Sequence, residues 1–275
     1  MKKTVWTGER LETHILNNTT IEHLHRYSLA KTFCADKTIL DIACGDGYGS
    51  NLLAKSALKV IGVDIAGDVI EVAKKKYSRS NLSFIQGSTS DIPLAENSVD
   101  VVVSFETIEH HDEHARMMEE IKRVLKPSGL LIISSPDKKN YSEEANYNNP
   151  YHVKELYFEE FKQLISQYFI NYDFYSQKIV KGSLIINEND KNSFTEYAGT
   201  FDEVNEIKDF RPIYHFCLAS DSPVQKLENS FFRDDLNQNE NLREDTIKLV
   251  QQSYRYRLGS IILSPFGFIK KLWYR

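Results

Sequence analysis

The chain has 275 residues, 41% of them hydrophobic and 27% charged, and a formal net charge of −5. Its length suits one large α/β domain with additions, its composition is ordinary for a soluble protein, and the negative charge argues against a general nucleic-acid binder. There is no run of about 18 apolar residues to cross a membrane, and no apolar N-terminal run to act as a signal peptide. Cys34, Cys44 and Cys217 have no metal-type spacing and cannot all pair, so reduced thiols in the cytoplasm are expected.

Residues 1–36 form an N-terminal cap segment. Met1 to Asn18 is polar, with Thr7-Gly8-Glu9-Arg10-Leu11 its one suggestive piece. Thr19-Thr20-Ile21-Glu22 is a capping box, which predicts a helix with Ile21, Leu24, Tyr27 and Ser28 along one face. That helix carries the polar cluster Glu22-His23-Leu24-His25-Arg26-Tyr27.

Thr38-Ile39-Leu40 has the apolar character of a buried strand, and Tyr48 to Lys55 that of a helix. Between them stands Asp41-Ile42-Ala43-Cys44-Gly45-Asp46-Gly47-Tyr48-Gly49. An acid at a strand end followed by alternate glycines lets the backbone turn sharply and a ligand approach it closely. A dinucleotide fingerprint needs its third glycine at position 50, which is Ser50, and no lysine follows to make a phosphate loop. Lys59-Val60-Ile61-Gly62-Val63 is a second strand, and Asp64 at its end can accept both hydroxyls of a ribose. A third strand, Asn81 to Gln86, leads into Gly87-Ser88-Thr89-Ser90, and Asn97 to Ser104 is a fourth, apolar enough for burial on both faces.

Asp112 is placed to cap a helix running to about Leu125, with Met117, Ile121 and Val124 inside and Pro127-Ser128-Gly129 ending it before a fifth strand. Asp137 to Asn149 is predicted to be a long loop, and Glu155 to Tyr168 a helix. Phe169 to Val180 and Tyr214 to Ala219 are expected as a closing pair of strands, separated by a polar insertion at 181–211. The alternation from Lys37 onward argues for a mostly parallel sheet with helices on both faces, within a domain spanning 37–220. In the extension at 221–275, Asp221 to Asp245 is an acidic, Asn-rich linker with a short helix. The last 23 residues invert the charge: Arg255, Arg257, Lys270, Lys271 and Arg275 face no acids, against −10 for everything before them. Such a basic, aromatic-rich end suits peripheral contact with an anionic membrane at its inner face, or packing against the same or another chain.

Ser104-Phe105-Glu106-Thr107-Ile108-Glu109-His110-His111-Asp112-Glu113-His114 follows strand four, at the sheet edge where ligands bind in open α/β folds. In one helical turn Glu106, Glu109 and His110 would be neighbours, and a pair of carboxylates held together calls for a proton or a cation. Oxygen ligands with one imidazole suit Mg²⁺ or Mn²⁺, with Zn²⁺ or Fe²⁺ as alternatives, while a brace for the loop is the structural reading of the same acids.

The glycine nonamer, Asp64 and the strand pattern, in order from about Lys37 to Ser134, resemble the class I S-adenosylmethionine (SAM) methyltransferases, type 11-like. The resemblance implies a Rossmann-like fold with a seven-stranded, mostly parallel sheet and an antiparallel closing hairpin. It implies SAM as cofactor, held by Asp41, Ala43, Gly45, Gly47 and Gly49 on the first turn and by Asp64 and Ile65 after strand two. Ser88 and Thr89 would lie at the adenine, although family members often carry an acid where Ser88 stands; Ser104, Glu106, Arg26 and Tyr27 would lie toward the methionine end.

Glu-x-x-Glu-His also resembles the metal motif of small-RNA 2′-O-methyltransferases and ubiquinone-biosynthesis O-methyltransferases, which implies Glu106, Glu109 and His110 as ligands with His152 as the fourth. His110, His111 or His114 would take the acceptor's proton. The Glu22–Tyr27 cluster, the histidine run and Tyr254-Arg255-Tyr256-Arg257-Leu258-Gly259 look like methyltransferases of bacterial surface-polysaccharide assembly. That implies O-methylation of a sugar hydroxyl on a small-molecule or glycan acceptor. A quinone or other phenol is the second acceptor class, and a non-catalytic SAM-binding scaffold is the alternative outside enzymes.

Overall fold

A computed structural model of the chain describes residues 17–180, 182–189, 196–199, 204–207 and 210–233, and all of these fall in one compact unit. The Thr7–Leu11 piece and the basic tail lie outside the described residues.

Helix α1 spans Asn18–Lys31, two residues earlier than the capping box at Thr19 predicts. Asn17 is the cap: its Oδ1 accepts from Thr20 N–H at 3.1 Å, and Thr20 Oγ1 accepts from Asn17 N–H at 3.2 Å. Thr20 thus takes the role expected of Glu22, and Glu22 turns inward. Ser28, expected on the inner face, is exposed; the buried face consists of Ile21, Glu22, His25, Arg26, Tyr27 and Ala30.

Strand β1 (Thr38–Ile42) leads to α2 (Tyr48–Leu53), β2 (Lys59–Asp64), α3 (Gly67–Lys76), β3 (Leu82–Gln86) and β4 (Val99–Ser104). Then follow α4 (His114–Val124), β5 (Leu125–Pro136), α5 (Phe158–Tyr168) and β6 (Asn171–Val180). The expected closing pair is present: β6 pairs antiparallel with β10 (Tyr214–Ser220), which also pairs antiparallel with β5. Strands β7 (Gly182–Asn187) and β11 (Ser230–Arg233) are additions to the expected seven. Among the described residues the sheet thus has nine strands, in the order β11-β7-β6-β10-β5-β4-β1-β2-β3, with β1 to β5 parallel.

Strand β7 corrects the reading of 181–211 as loop. Leu184, Ile185 and Ile186 are buried, a short apolar run hidden inside a polar segment. Likewise β11 pairs onto β7 where a linker was expected. Strands β8 (Glu196–Gly199) and β9 (Val204–Ile207) form a separate hairpin. Asp112 does not cap α4: Glu113 is the residue before it, without a side-chain cap. Pro127-Ser128-Gly129 does not end that helix either, because Val124 is its last residue and β5 begins at Leu125 with a register shift opposite Val99 and Val101. The segment after β5 contains one wide helical turn, Lys139–Glu143.

Alternate strand residues face two cores. Leu40, Ile42, Val102, Leu131 and Ile133 pack with Met117, Ile121, Phe161 and Ile165 of α4 and α5. Ile39, Val60, Val101, Val103, Ile132 and Phe216 pack with Tyr27 and Ala30 of α1 and Leu53 of α2. A sheet covered on both faces explains its near-continuous apolar strands. The chain crosses from β3 back to β4 beside β1, and this reversal opens a cleft at the carboxyl ends of β1 and β4. No described helix is long and apolar enough to cross a membrane.

Candidate functional site

The turn after β1 keeps a backbone that favours glycine: φ is +58° at Ala43, +54° at Gly45 and +85° at Gly47. A Cβ built at Gly45 would meet nothing within 4 Å, so the space before this residue is open. Gly45 N–H donates to Asp64 Oδ2 at 2.9 Å and Ala66 N–H to Oδ1 at 2.9 Å. Two backbone donors therefore fix the Asp64 carboxylate at the cleft, and each oxygen keeps capacity for another donor. Ile65, next to it, is 70% exposed, an apolar surface of the kind a flat base covers.

Asp41 lies behind this loop rather than in it. It is 1% exposed, accepts from Tyr27 O–H at 3.1 Å and Ser50 O–H at 2.6 Å, and burial pushes its pKa up to about 6 against those two hydrogen bonds. The Tyr27 ring covers Gly49, where any Cβ would come within 2.4 Å of three of its atoms. Asp41, Gly49 and Tyr27 thus brace the turn from inside. Ser104 Oγ is buried at the end of β4 with no hydrogen-bond partner among the described residues. Ser88 Oγ meets Ser90 Oγ at 3.0 Å, and Thr89 Oγ1 meets His111 Nε2 at 3.4 Å. Open space at Gly45, a poised carboxylate and an unpartnered hydroxyl fit the adenosyl and methionine parts of SAM.

Glu106 leaves the expected cation cluster. It sits at φ +49° ahead of a single 3₁₀ turn, Ile108–His110, and pairs with Arg26 Nη1. Ser134 O–H donates to the same Glu106 oxygen at 2.7 Å, and Arg26 Nη1 also reaches Ser134 Oγ at 2.7 Å. A completely buried guanidinium needs a countercharge, and Glu106 is the carboxylate that α1 can reach. The Tyr214 ring lies 4.7 Å from the guanidinium carbon.

Glu109, His110 and His152 do converge, with one candidate ligand atom from each lying within 4.8 Å of the others. His110 Nδ1 meets the Tyr151 carbonyl at 3.1 Å, and His152 Nδ1 meets Glu155 Oε1 at 2.5 Å. Oxygen partners at Nδ1 fix an imidazole so that Nε2 faces a metal. Nε2 of His110 lies 3.9 Å from Glu109 Oε1, and Nε2 of His152 lies 2.9 Å from Asn149 Nδ2. With Glu106 gone the donor set is two nitrogens and one carboxylate, which moves the preference from Mg²⁺ toward Mn²⁺, Fe²⁺ or Zn²⁺. The other two histidines are partly tied into the loop. His114 Nε2 donates to the His111 carbonyl at 2.8 Å, and burial lowers the pKa of both.

Glu22, expected only as the last residue of a capping box and a member of a polar cluster, is 5% exposed, with its pKa raised to about 7. Burial raises it, and the neighbouring Arg26 pulls it partly back. Its spacing of four from Arg26 on one helix was the available signal.

The family model described as "Methyltransferase domain" matches residues 40–133. The chain is 35% identical over 162 residues to a Mycobacterium tuberculosis protein named a probable S-adenosylmethionine-dependent methyltransferase, covering 58% of each chain. It is 30% identical over 135 residues to the mitochondrial ubiquinone biosynthesis O-methyltransferase of Schizosaccharomyces pombe, covering 47% of this chain and 49% of that one. The chain therefore spans only about half to three-fifths of the length of these curated relatives. In fold it is similar to a SAM-dependent methyltransferase structure from Thermotoga maritima, with TM-score 0.55, 19% identity, and coverage of 74% of this chain and 90% of that one.

Proposed function

Because residues 40–133 carry a methyltransferase domain on a Rossmann-like sheet, we propose that the whole protein is a SAM-dependent O-methyltransferase acting on a sugar hydroxyl of a surface glycan or its precursor. The observation that carries the cofactor half is the open turn at Gly45 with Asp64 fixed beside it. SAM supplies a methyl group already activated on sulfur. The protein's part is to bind it, align an acceptor oxygen and accept a proton; alignment alone can contribute up to about 7–11 kcal/mol.

In this reading Gly45 and Gly47 let the backbone approach the cofactor, Asp64 takes the ribose hydroxyls, Ile65 lies under the adenine and Ser104 faces the methionine side. Glu109, His110 and His152 fit a divalent ion, which would lower the pKa of a hydroxyl and hold a vicinal oxygen pair. His111, with a buried Nδ1 that has no hydrogen-bond partner among the described residues, stands as a proton acceptor.

A phenolic acceptor of the quinone class is the second reading, supported by the similarity to the fission-yeast ubiquinone enzyme. Both acceptors offer neighbouring oxygens, so the same ion would serve. The basic end of the sequence supports a cytoplasmic protein that touches the inner membrane face or pairs with another chain. Labelled SAM offered with glycans and with catechols separates the readings: transfer to a glycan hydroxyl supports the first, and transfer only to catechols supports the second.

A further inference from the structure

One side chain, Asn149, lies against the atom of His152 that a cation would take. Tyr151 N–H donates to Asn149 Oδ1 at 3.1 Å, which leaves Asn149 Nδ2 beside His152 Nε2, at 2.9 Å. An amide nitrogen only donates, so His152 Nε2 is the acceptor, and Nδ1 carries the ring proton and gives it to Glu155 Oε1 at 2.5 Å. This is the tautomer that a metal ligand needs, with its lone pair held by an amide hydrogen.

The backbone of this corner is fixed. Val153 N–H and Lys154 N–H both donate to the Glu109 carbonyl, at 2.8 and 3.0 Å, and His110 Nδ1 meets the Tyr151 carbonyl at 3.1 Å. His152 N–H donates to the Asn149 carbonyl at 3.2 Å. The Asn149 side chain can turn without breaking any of these bonds. It is half-buried, at the end of the exposed stretch 143–148. Its Nδ2 also lies 3.4 Å from Tyr141 Oη, an acceptor that can keep the amide once it leaves the histidine.

A nitrogen lone pair serves one hydrogen or one metal ion, not both. We propose that Asn149 is a gate on the cation site: its amide occupies His152 Nε2 until a divalent ion displaces it toward Tyr141. The inference rests on the reading that Glu109, His110 and His152 hold such an ion, and it adds how entry is controlled. Each binding event costs the amide's hydrogen bond to His152, so the wild type holds the ion less tightly than its three ligands alone allow. In the absence of an ion, the same amide keeps the ring in its ligating orientation.

The test is calorimetric titration of the full chain with Mn²⁺, comparing wild type with Asn149→Ala and Asn149→Ser. Serine keeps an oxygen that can accept from Tyr151 N–H but brings no donor to Nε2. Both variants should bind Mn²⁺ about threefold to tenfold more tightly than wild type, the equivalent of one ordinary hydrogen bond. In a His152→Ala background the same substitutions should change nothing, because the pair is already broken.

Unchanged or weaker Mn²⁺ binding in the variants overturns the gate while leaving the cation site intact. A gain that persists without His152 also overturns it, since a loosened loop would then be its cause. Absence of Mn²⁺ binding in wild type and variants alike overturns the cation reading and the inference together. The serine variant decides where the alanine variant does not fold.

Discussion

Arg26 and Glu106 join helix α1 to the loop after β4 at the carboxyl edge of the sheet, with Ser134 of β5 hydrogen-bonded to the same carboxylate. This pair redirects the acidic run after β4: it takes Glu106 toward α1 and leaves Glu109 with His110 and His152 on the other side. Two polar centres result from a stretch that sequence spacing assigned to one.

Removing the guanidinium tests the first centre. Arg26→Met should leave Glu106 without its cation and lower stability by about 3 kcal/mol, the low end for breaking a buried pair because Glu106 is partly exposed. Denaturant unfolding measures this; an unchanged midpoint would contradict the buried-pair account.

Stability against pH tests Glu22 independently of any ligand. Its pKa is raised in the folded state from the usual 4.5 to about 7, so between these values the folded protein binds more protons than the unfolded chain. Linkage then makes this group's contribution fall as pH rises through that window. Glu22→Gln should gain stability relative to wild type from pH 5 to pH 8, and parallel stability curves would refute the buried, raised acid.

What the sequence made legible follows from local rules. The strand-turn-helix at Asp41 to Gly49 was readable because positive φ and close approach demand glycine, and the Asp64 carboxylate was readable as an acid ending a strand. The pairing of β6 with β10 was also expected. Burial decided the rest. Asp41 looked like a ligand contact, yet Tyr27 and Ser50 occupy its oxygens from inside the fold. Leu184-Ile185-Ile186 is too short a run to reveal a strand amid polar neighbours, and its burial depends on pairing with β6. Glu106 could not be separated from Glu109 without knowing that α1 delivers an arginine from 80 residues away.

The second polar centre has its own test. Manganese binding, followed by calorimetry, should fall at least tenfold in Glu109→Ala and in His152→Ala, with SAM affinity nearly unchanged. Methyl transfer should stop in EDTA and return with Mn²⁺. Full activity in chelator would leave these residues as loop braces.

The basic end makes a separate prediction from sequence alone. A chain lacking residues 258–275 should lose salt-sensitive binding to vesicles containing anionic lipid, each Lys or Arg contributing about 1 kcal/mol. Unchanged binding, or a full-length chain that ignores such vesicles, would assign the tail to a protein partner.

The central claim is that SAM occupies the turn between Gly45 and Asp64, and calorimetric titration of the full chain with SAM tests it most directly. The account predicts one site per chain, weakened about tenfold to a hundredfold in Asp64→Ala through the loss of hydrogen bonds to a charged acceptor. A wild-type protein that binds no SAM, or an Asp64→Ala variant that binds it as tightly, would contradict it.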